Sequence, residues 1–254
     1  MQPNRLLSVL FVLVLATGAL AGCMNQTGNQ NTGNTKKLIV GSDATFPPME
    51  VYHESNGTFT GFDIDLMREI ARVMNYTVEF RNVGWDALPV ELSNGNIDVI
   101  ASSMTITDER KADREFTEPY YLVDQSVMVG KDSGITNVQQ LQGKRIAVQG
   151  GTTGDLYATN NISGAQVNRF DDYPSAANAL VTGAVDAVIM DRPPQVFFAS
   201  ENPSVVVAFD IDTNEPLGFA IKKGRLDLVN QMNDALDQLR ADGTLDRLRQ
   251  KYDL

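Results

Sequence analysis

Ile97-Asp98-Val99-Ile100-Ala101-Ser102-Ser103-Met104-Thr105-Ile106-Thr107-Asp108-Glu109-Arg110 joins an apolar run to a hydroxyl-rich turn. The run from Ile97 to Ala101 reads as a buried strand. Ser102, Ser103 and Thr105 then fall at or just past its carboxyl end. Thr107 is placed to cap a short helix whose first turn holds Asp108, Glu109 and Arg110. In open α/β sheets, ligands bind outside the carboxyl ends of strands. A guanidinium fork matches a carboxylate bidentately. The stretch therefore predicts an α/β fold with a carboxylate-binding corner. Taken alone, it suits equally well a solvated Arg on a short surface helix.

Upstream, Leu38-Ile39-Val40-Gly41 is predicted as a first strand running into Ser42-Asp43-Ala44-Thr45-Phe46-Pro47-Pro48, where the prolines force an extended or turning chain. Gly61 to Met74 predicts a helix with Asp63 as its cap and Leu66, Ile70 and Val73 at helical spacing. Val78-Glu79-Phe80 follows as a second strand, and Trp85-Asp86-Ala87-Leu88 starts a short helix ending near Gly95.

After Tyr120-Tyr121 the pattern restarts. Lys144 to Val148 reads as a strand, followed by the loop Gln149-Gly150-Gly151-Thr152-Thr153-Gly154 and a helix. A further helix, Ser175 to Thr182, leads through Gly183 into a strand, Val185 to Asp191. Residues 91–103 align without gaps against 179–191, sharing Leu, Gly and Asp. This echo is too common a pattern in α/β proteins to claim duplication. If the chain forms two similar lobes, Ser103 and Asp191 take equivalent strand ends, and a hydroxyl-and-Arg corner faces a carboxylate. Leu217 to Ile221 is expected as one strand, and Leu226 to Leu248 as helix interrupted at Asp242-Gly243.

Composition narrows the function. The balance is acidic, with 21 Lys+Arg against 32 Asp+Glu. Nucleic acid is excluded as a partner, because its binding rests on cationic side chains. The single Cys and single His leave no internal disulfide, no Cys cluster and no multi-His metal site. No metal and no cofactor is expected.

Arg5 precedes an apolar run from Leu6 to Leu20, shorter than a typical membrane span, which fits a signal peptide over residues 1–22. Its end, Leu20-Ala21-Gly22-Cys23, resembles the lipobox of prokaryotic lipoproteins, which implies cleavage before Cys23 and lipidation of that thiol. Residues 23–36 hold almost nothing apolar and should form a tether. The expected location is the outer face of the cytoplasmic membrane, extracellular or periplasmic, anchored by lipid without spanning.

Gly61-Phe62-Asp63-Ile64-Asp65-Leu66 with Ile70-Ala71 resembles the signature of the polar amino-acid class of extracellular solute-binding proteins, which serve ABC importers. Asp43 to Pro48, Ser102 to Arg110, Phe116 to Tyr121, Gly151-Thr152-Thr153 and Arg240 to Leu245 are similar to that family's segments, in its order. The resemblance implies a two-lobed periplasmic-binding-protein-like α/β fold with mixed sheets and the ligand between the lobes. It puts lobe one at 37–121 plus 217–254, lobe two at 122–216, and a hinge near Tyr120–Val123 and Glu215–Gly218.

The implied partners are a free L-amino acid and the permease subunits of an ABC transporter, with the protein a monomer. Arg110 would hold the α-carboxylate, helped by backbone N–H groups near Ser103, Thr105 and Thr153, with Asp191 on the α-ammonium; Ser102, Gly151 and Thr152 also count among the ligand-binding residues. Phe46 and Trp85 would sandwich the side chain, and Asp43 would favour a basic or amide ligand over an acidic one. Asp191 also suits a cap for the turn before Pro193-Pro194, and Asp43 a turn residue. A sensing module for a separate receptor, or an enzyme using an acid such as Glu50 or Glu118, are the rival readings; no catalytic residue is assigned.

Overall fold

The computed structural model describes residues 36–254; the leader, Cys23 and the tether up to residue 35 lie outside the described residues. In chain order, β1 (Lys36–Ser42) is followed by β2 (Thr45–Phe46), β3 (Glu50–His53) and β4 (Thr58–Thr60), then α1 (Phe62–Val73) and β5 (Tyr76–Asn82). A 3-10 turn at Trp85–Ala87 leads into α2 (Leu88–Asn94), β6 (Val99–Ile100), α3 (Asp108–Lys111) and β7 (Arg114–Phe116). β8 (Tyr121–Gly130) carries the chain onward to β9 (Arg145–Gln149), α4 (Thr153–Asn161), β10 (Gln166–Phe170), α5 (Tyr173–Val181), β11 (Ala187–Asp191) and α6 (Arg192–Glu201). β12 (Val205–Leu217) returns to β13 (Ala220–Lys222), α7 (Leu226–Ala241) and α8 (Thr244–Lys251).

Two mixed five-stranded sheets result, ordered β5-β1-β6-β13-β7 and β10-β9-β11-β8-β12, with β2-β3-β4 as a small antiparallel flap. β1 lies between two parallel neighbours, β5 and β6, and β9 lies likewise between β10 and β11. β6 and β11 therefore hold the same place in their sheets. The residues shared by the 91–103 and 179–191 segments explain why. Asp98 Oδ2 accepts from the Ile39 N–H of β1 (2.8 Å), and Asp186 Oδ2 accepts from the Arg145 N–H of β9 (2.9 Å). Gly95 and Gly183 both take a left-handed turn (φ 77° and 75°) that ends the preceding helix. The same Gly-and-Asp device starts both strands.

The two sheets are joined by a ribbon in which Tyr121, Leu122 and Val123 pair with Leu217, Pro216 and Glu215. The single strand expected over Leu217–Ile221 is broken: β12 ends at Leu217 and β13 starts at Ala220. At the break the Gly218 N–H donates to the Met104 carbonyl (3.1 Å). A Cβ on Gly218 would come 2.7 Å from Ile106 Cδ1 and 3.3 Å from the Thr117 carbonyl, so the chain leaves the ribbon in a crowded place that a glycine fits without displacing Ile106.

α1 buries Phe62, Leu66, Met67 and Ile70 in a cluster that includes Met232, Leu236 and Leu239 of α7. Full burial of each such side chain contributes about 1.5–3 kcal/mol. Among the described residues no helix is long and apolar enough to cross a membrane.

Asp63 does not cap α1. Gly61 holds the cap position at φ 125°, and Asp63 turns inward, fully buried. A Cβ on Gly61 would strike the Met49 carbonyl. Gly61→Ala should therefore lower stability by at least about 2 kcal/mol in urea unfolding of the ligand-free protein; an unchanged midpoint would show that the loop yields freely.

Candidate functional site

The carboxyl ends of β1, β6, β9 and β11 converge on one cleft between the sheets. Asp43, Phe46, Trp85, Ser102, Ser103, Thr105, Arg110, Thr152, Thr153 and Asp191 all line it. Gly151 sits at its edge and meets the lining through its carbonyl. The space between the walls, open side included, is about 380 Å³.

On the first wall the Asp43 N–H donates to Ser102 Oγ (3.0 Å), tying the ends of β1 and β6 together. Thr107 caps α3 by accepting from the Arg110 N–H (3.1 Å). The Arg110 side chain then folds back over the cleft. Its guanidinium donates to the Thr105 carbonyl (2.9 Å) and, across the cleft, to the Gly151 carbonyl (3.2 Å). It also lies 5.3 Å from the Trp85 ring centre, a cation–π distance. Burial is the main force pulling its proton affinity down, with Arg114 adding to it, yet an arginine in a protein keeps its charge.

On the second wall Thr152 caps α4 through the Asp155 N–H (3.2 Å). The start of that helix offers free N–H groups to an anion. Asp191 ends β11 and stands at the cap position of α6, but makes no cap hydrogen bond. The reason is local. A capping carboxylate accepts from the second or third helical N–H, and those residues are Pro193 and Pro194, which have none. The capping alternative for Asp191 is thereby excluded.

Glu50, Gln149 and Met190 also line the cleft; the sequence did not point to the last two as site residues, and it raised Glu50 only as an acid for the enzyme reading. Gln149 and Met190 sit at the ends of β9 and β11, where the strand-end rule that found Ser102 would have found them. Glu50 had no local signal, because its burial depends on β3 folding back over the cleft. Its carboxylate accepts from Ser103 Oγ (3.0 Å), while Asp63 accepts from the Ser103 N–H (2.8 Å) and from Tyr120 Oη (2.7 Å). These acids hold Ser103 in a left-handed conformation (φ 47°) that a serine rarely adopts. Glu118, the other acid considered, is exposed and pairs with Arg240. His53 bonds Thr60 on the flap and does not line the cleft.

The lining carries Asp43, Glu50 and Asp191 against the single cation Arg110. Burial raises the proton affinity of every one of these acids. Asp191 is pushed up to about 7 by burial and by the nearby Glu215 carboxylate, against a hydrogen bond from Gln125. Glu50 is raised well above the usual range by burial and by Asp63, which is itself pushed up to about 6, mainly by burial. Asp43 is raised by burial and restrained by Gln149, whose Nε2 donates to it across the cleft (2.8 Å). With the Phe46–Tyr173 edge contact (5.5 Å between centroids) and the Arg110–Gly151 bond, this brings the two walls together.

Such a site destabilises the empty protein. The folded-state value of Asp191 lies above its ordinary 3.8, so its contribution to stability is fully present below about pH 4 and is lost as the pH rises through about 7. Asp191→Asn should make the ligand-free protein more stable than wild type at pH 8, on the order of 2 kcal/mol, with little difference at pH 4. Urea unfolding at the two pH values checks this; a variant less stable at pH 8 would refute it.

Residues 38–253 match the bacterial extracellular solute-binding proteins, family 3. A probable histidine-binding protein of Neisseria gonorrhoeae is 32% identical over 244 residues, 94% of this chain and 91% of that one. An ancestral arginine-binding protein solved with arginine bound has a TM-score of 0.80 at 37% identity, covering 85% of this chain and 97% of the other. An ancestral amino acid-binding protein, a precursor of cyclohexadienyl dehydratase, gives 0.79 at 38% identity, covering 85% and 94%. Further relatives are a glutamine-binding protein of Bacillus subtilis and an arginine-binding protein of Escherichia coli, both of ABC transporters. The two-sheet fold and the match over nearly all the described residues have one consequence: the chain belongs to the bacterial extracellular solute-binding proteins of family 3.

Proposed function

We propose that the protein binds a free polar L-amino acid, with a basic or amide side chain, outside the cell and delivers it to an ABC importer. The observation that carries this reading is the opposition of a half-buried Arg110 and a buried Asp191 on facing walls of one cleft. A free amino acid is a zwitterion, and each of its charges must be paired once it leaves water. Arg110 takes the α-carboxylate, with N–H groups at the start of α4 beside it; Asp191 takes the α-ammonium. The ligand then touches both walls at once and favours the closed arrangement through contacts that an open one lacks. Residues 37–121 with 217–254 form one moving lobe and 122–216 the other, turning about the β8–β12 ribbon.

The far end of the cleft supports the side-chain preference. Asp43 and Gln149 meet there, and Glu50 lines the same cleft, so an acidic side chain would be repelled, while a guanidinium, ammonium or amide finds acceptors. Phe46 and Trp85 supply apolar faces for the stem. The protein acts as a binding protein and not as an enzyme. It is held at the membrane's outer face as a monomer by lipid on Cys23, after loss of residues 1–22.

Arg110→Ala should abolish amino-acid binding, a loss of about 3–5 kcal/mol, because it leaves a buried carboxylate unpaired. Calorimetry with arginine, histidine and glutamine tests this, and near-normal affinity for whichever binds would sink the site assignment. A thermal-shift screen against the twenty amino acids should pick out basic or amide ligands, a tight one adding about 2.7 kcal/mol at a hundredfold excess over its Kd. A response confined to glutamate and aspartate would overturn the preference, and consumption of the bound amino acid would overturn the non-enzymatic reading.

A further inference from the structure

Asp191 is aimed at the cleft by residues that do not line it. Gln125 lies on β8 directly opposite Asp191 in the antiparallel β8–β11 pairing, and it is fully buried. Its Nε2 donates to Asp191 Oδ1 (2.5 Å) and to Thr153 Oγ1 (3.3 Å). Its Oε1 has no hydrogen-bond partner. That oxygen is pressed against Gly154 of α4, where a Cβ would come within 2.8 Å of it. A buried acceptor left unmade is costly. The reverse orientation of the amide would set Oε1 against the Asp191 carboxylate. The arrangement therefore sacrifices the amide oxygen so that both N–H groups serve the carboxylate and the hydroxyl at the mouth of α4. From the other side, Pro193 and Pro194 remove the helix N–H groups to which Asp191 would otherwise turn.

We propose that Gln125 is a positioning residue that, together with the Pro193-Pro194 pair, holds the Asp191 carboxylate directed at the ligand's α-ammonium. This rests on the reading of Asp191 as the ammonium partner. Glu215 of β12 repels the Asp191 charge and Arg110 of α3 supports it. Glu50 of β3 and Tyr120 also feel the Asp191 charge. Of the groups around Asp191, Gln125 supplies the side-chain hydrogen bond that restrains its proton affinity. Without that bond, Glu215 and burial are opposed only by Arg110 and a backbone hydrogen bond, and Asp191 takes up a proton at higher pH. Ligand binding then has to expel that proton.

The test is calorimetry of arginine binding, or of the best ligand in the amino-acid screen, to wild type and Gln125→Met between pH 6 and 8.5. Methionine fills the volume without donating. Affinity of the variant should fall on the order of tenfold or more at pH 6.5 and recover to within about threefold of wild type at pH 8.5. Equal losses at every pH, or no loss, would overturn the proposal, since a merely structural role does not titrate. Pro194→Ala gives an independent arm: it restores a helix N–H, offers Asp191 a competing cap and should weaken binding while leaving unfolding stability unchanged or higher. Should Gln125→Met not fold, unaltered affinity in Pro194→Ala would overturn the proposal by itself. Asp191→Asn separates the two readings. If it binds like wild type, the ammonium assignment fails; if it is weak while Gln125→Met is normal at all pH values, only the role of Gln125 fails.

Discussion

The structure is arranged around an opposition of charges: one half-buried guanidinium on one wall of the cleft and a buried carboxylate on the other. Neither is satisfied by the opposite charge in the empty protein. Arg110 rests on the carbonyls of Thr105 and Gly151 and on the Trp85 ring. Asp191 rests on an amide. Carbonyl and amide dipoles hold these charges in place but do not neutralise them. A zwitterion supplies both missing charges at once. This explains why the walls present groups that are costly to bury: the cost falls on the empty protein and is relieved on binding.

The opposition follows from topology. In each sheet a central parallel strand is flanked by parallel strands on both sides, so the helical crossovers leave in opposite directions and a crevice opens at the carboxyl ends. β1 and β6 deliver Asp43 and Ser102 to that edge, and β9 and β11 deliver Gln149 and Asp191. The β8–β12 ribbon joins the sheets so that the two edges face each other. Because β6 and β11 are equivalent, the hydroxyls after one and the carboxylate after the other meet across the same gap.

Much of this was legible in the sequence because its signals are local. A buried strand followed by hydroxyls, a Thr cap and an Arg needs only a dozen residues to be recognised, and the helix-Gly-strand echo fixes equivalent strand ends. The shared Asp98 and Asp186 turned out to have a definite role, which the spacing alone did not reveal. What escaped were features made by distant parts of the chain. Glu50 enters the cleft only because the flap folds over it. Asp63 looked like a helix cap, yet its partners are Ser103, 40 residues away, and Tyr120, 57 residues away. The break at Gly218 lies against Met104 and Ile106 of another segment. Periodicity reports on one element at a time and is silent about contacts of this kind.

The buried acids differ in what they are for. Asp63 and Glu50 grip Ser103 from two sides and hold it in a conformation that costs about 1–3 kcal/mol for a residue with a side chain. That grip bends the chain sharply after β6 and keeps Ser102 and Thr105 facing the cleft, so these two acids act through geometry. They can share protons with little harm to the site, because a protonated carboxyl still accepts from an N–H or hydroxyl. Asp191 would have no such latitude as the proposed partner of an α-ammonium, which needs its charge. The surroundings differ accordingly. Asp63 and Glu50 sit against each other and a tyrosine. Asp191 has an amide donor behind it, prolines beside it and an arginine across from it, and these restrain a proton affinity that burial and Glu215 raise.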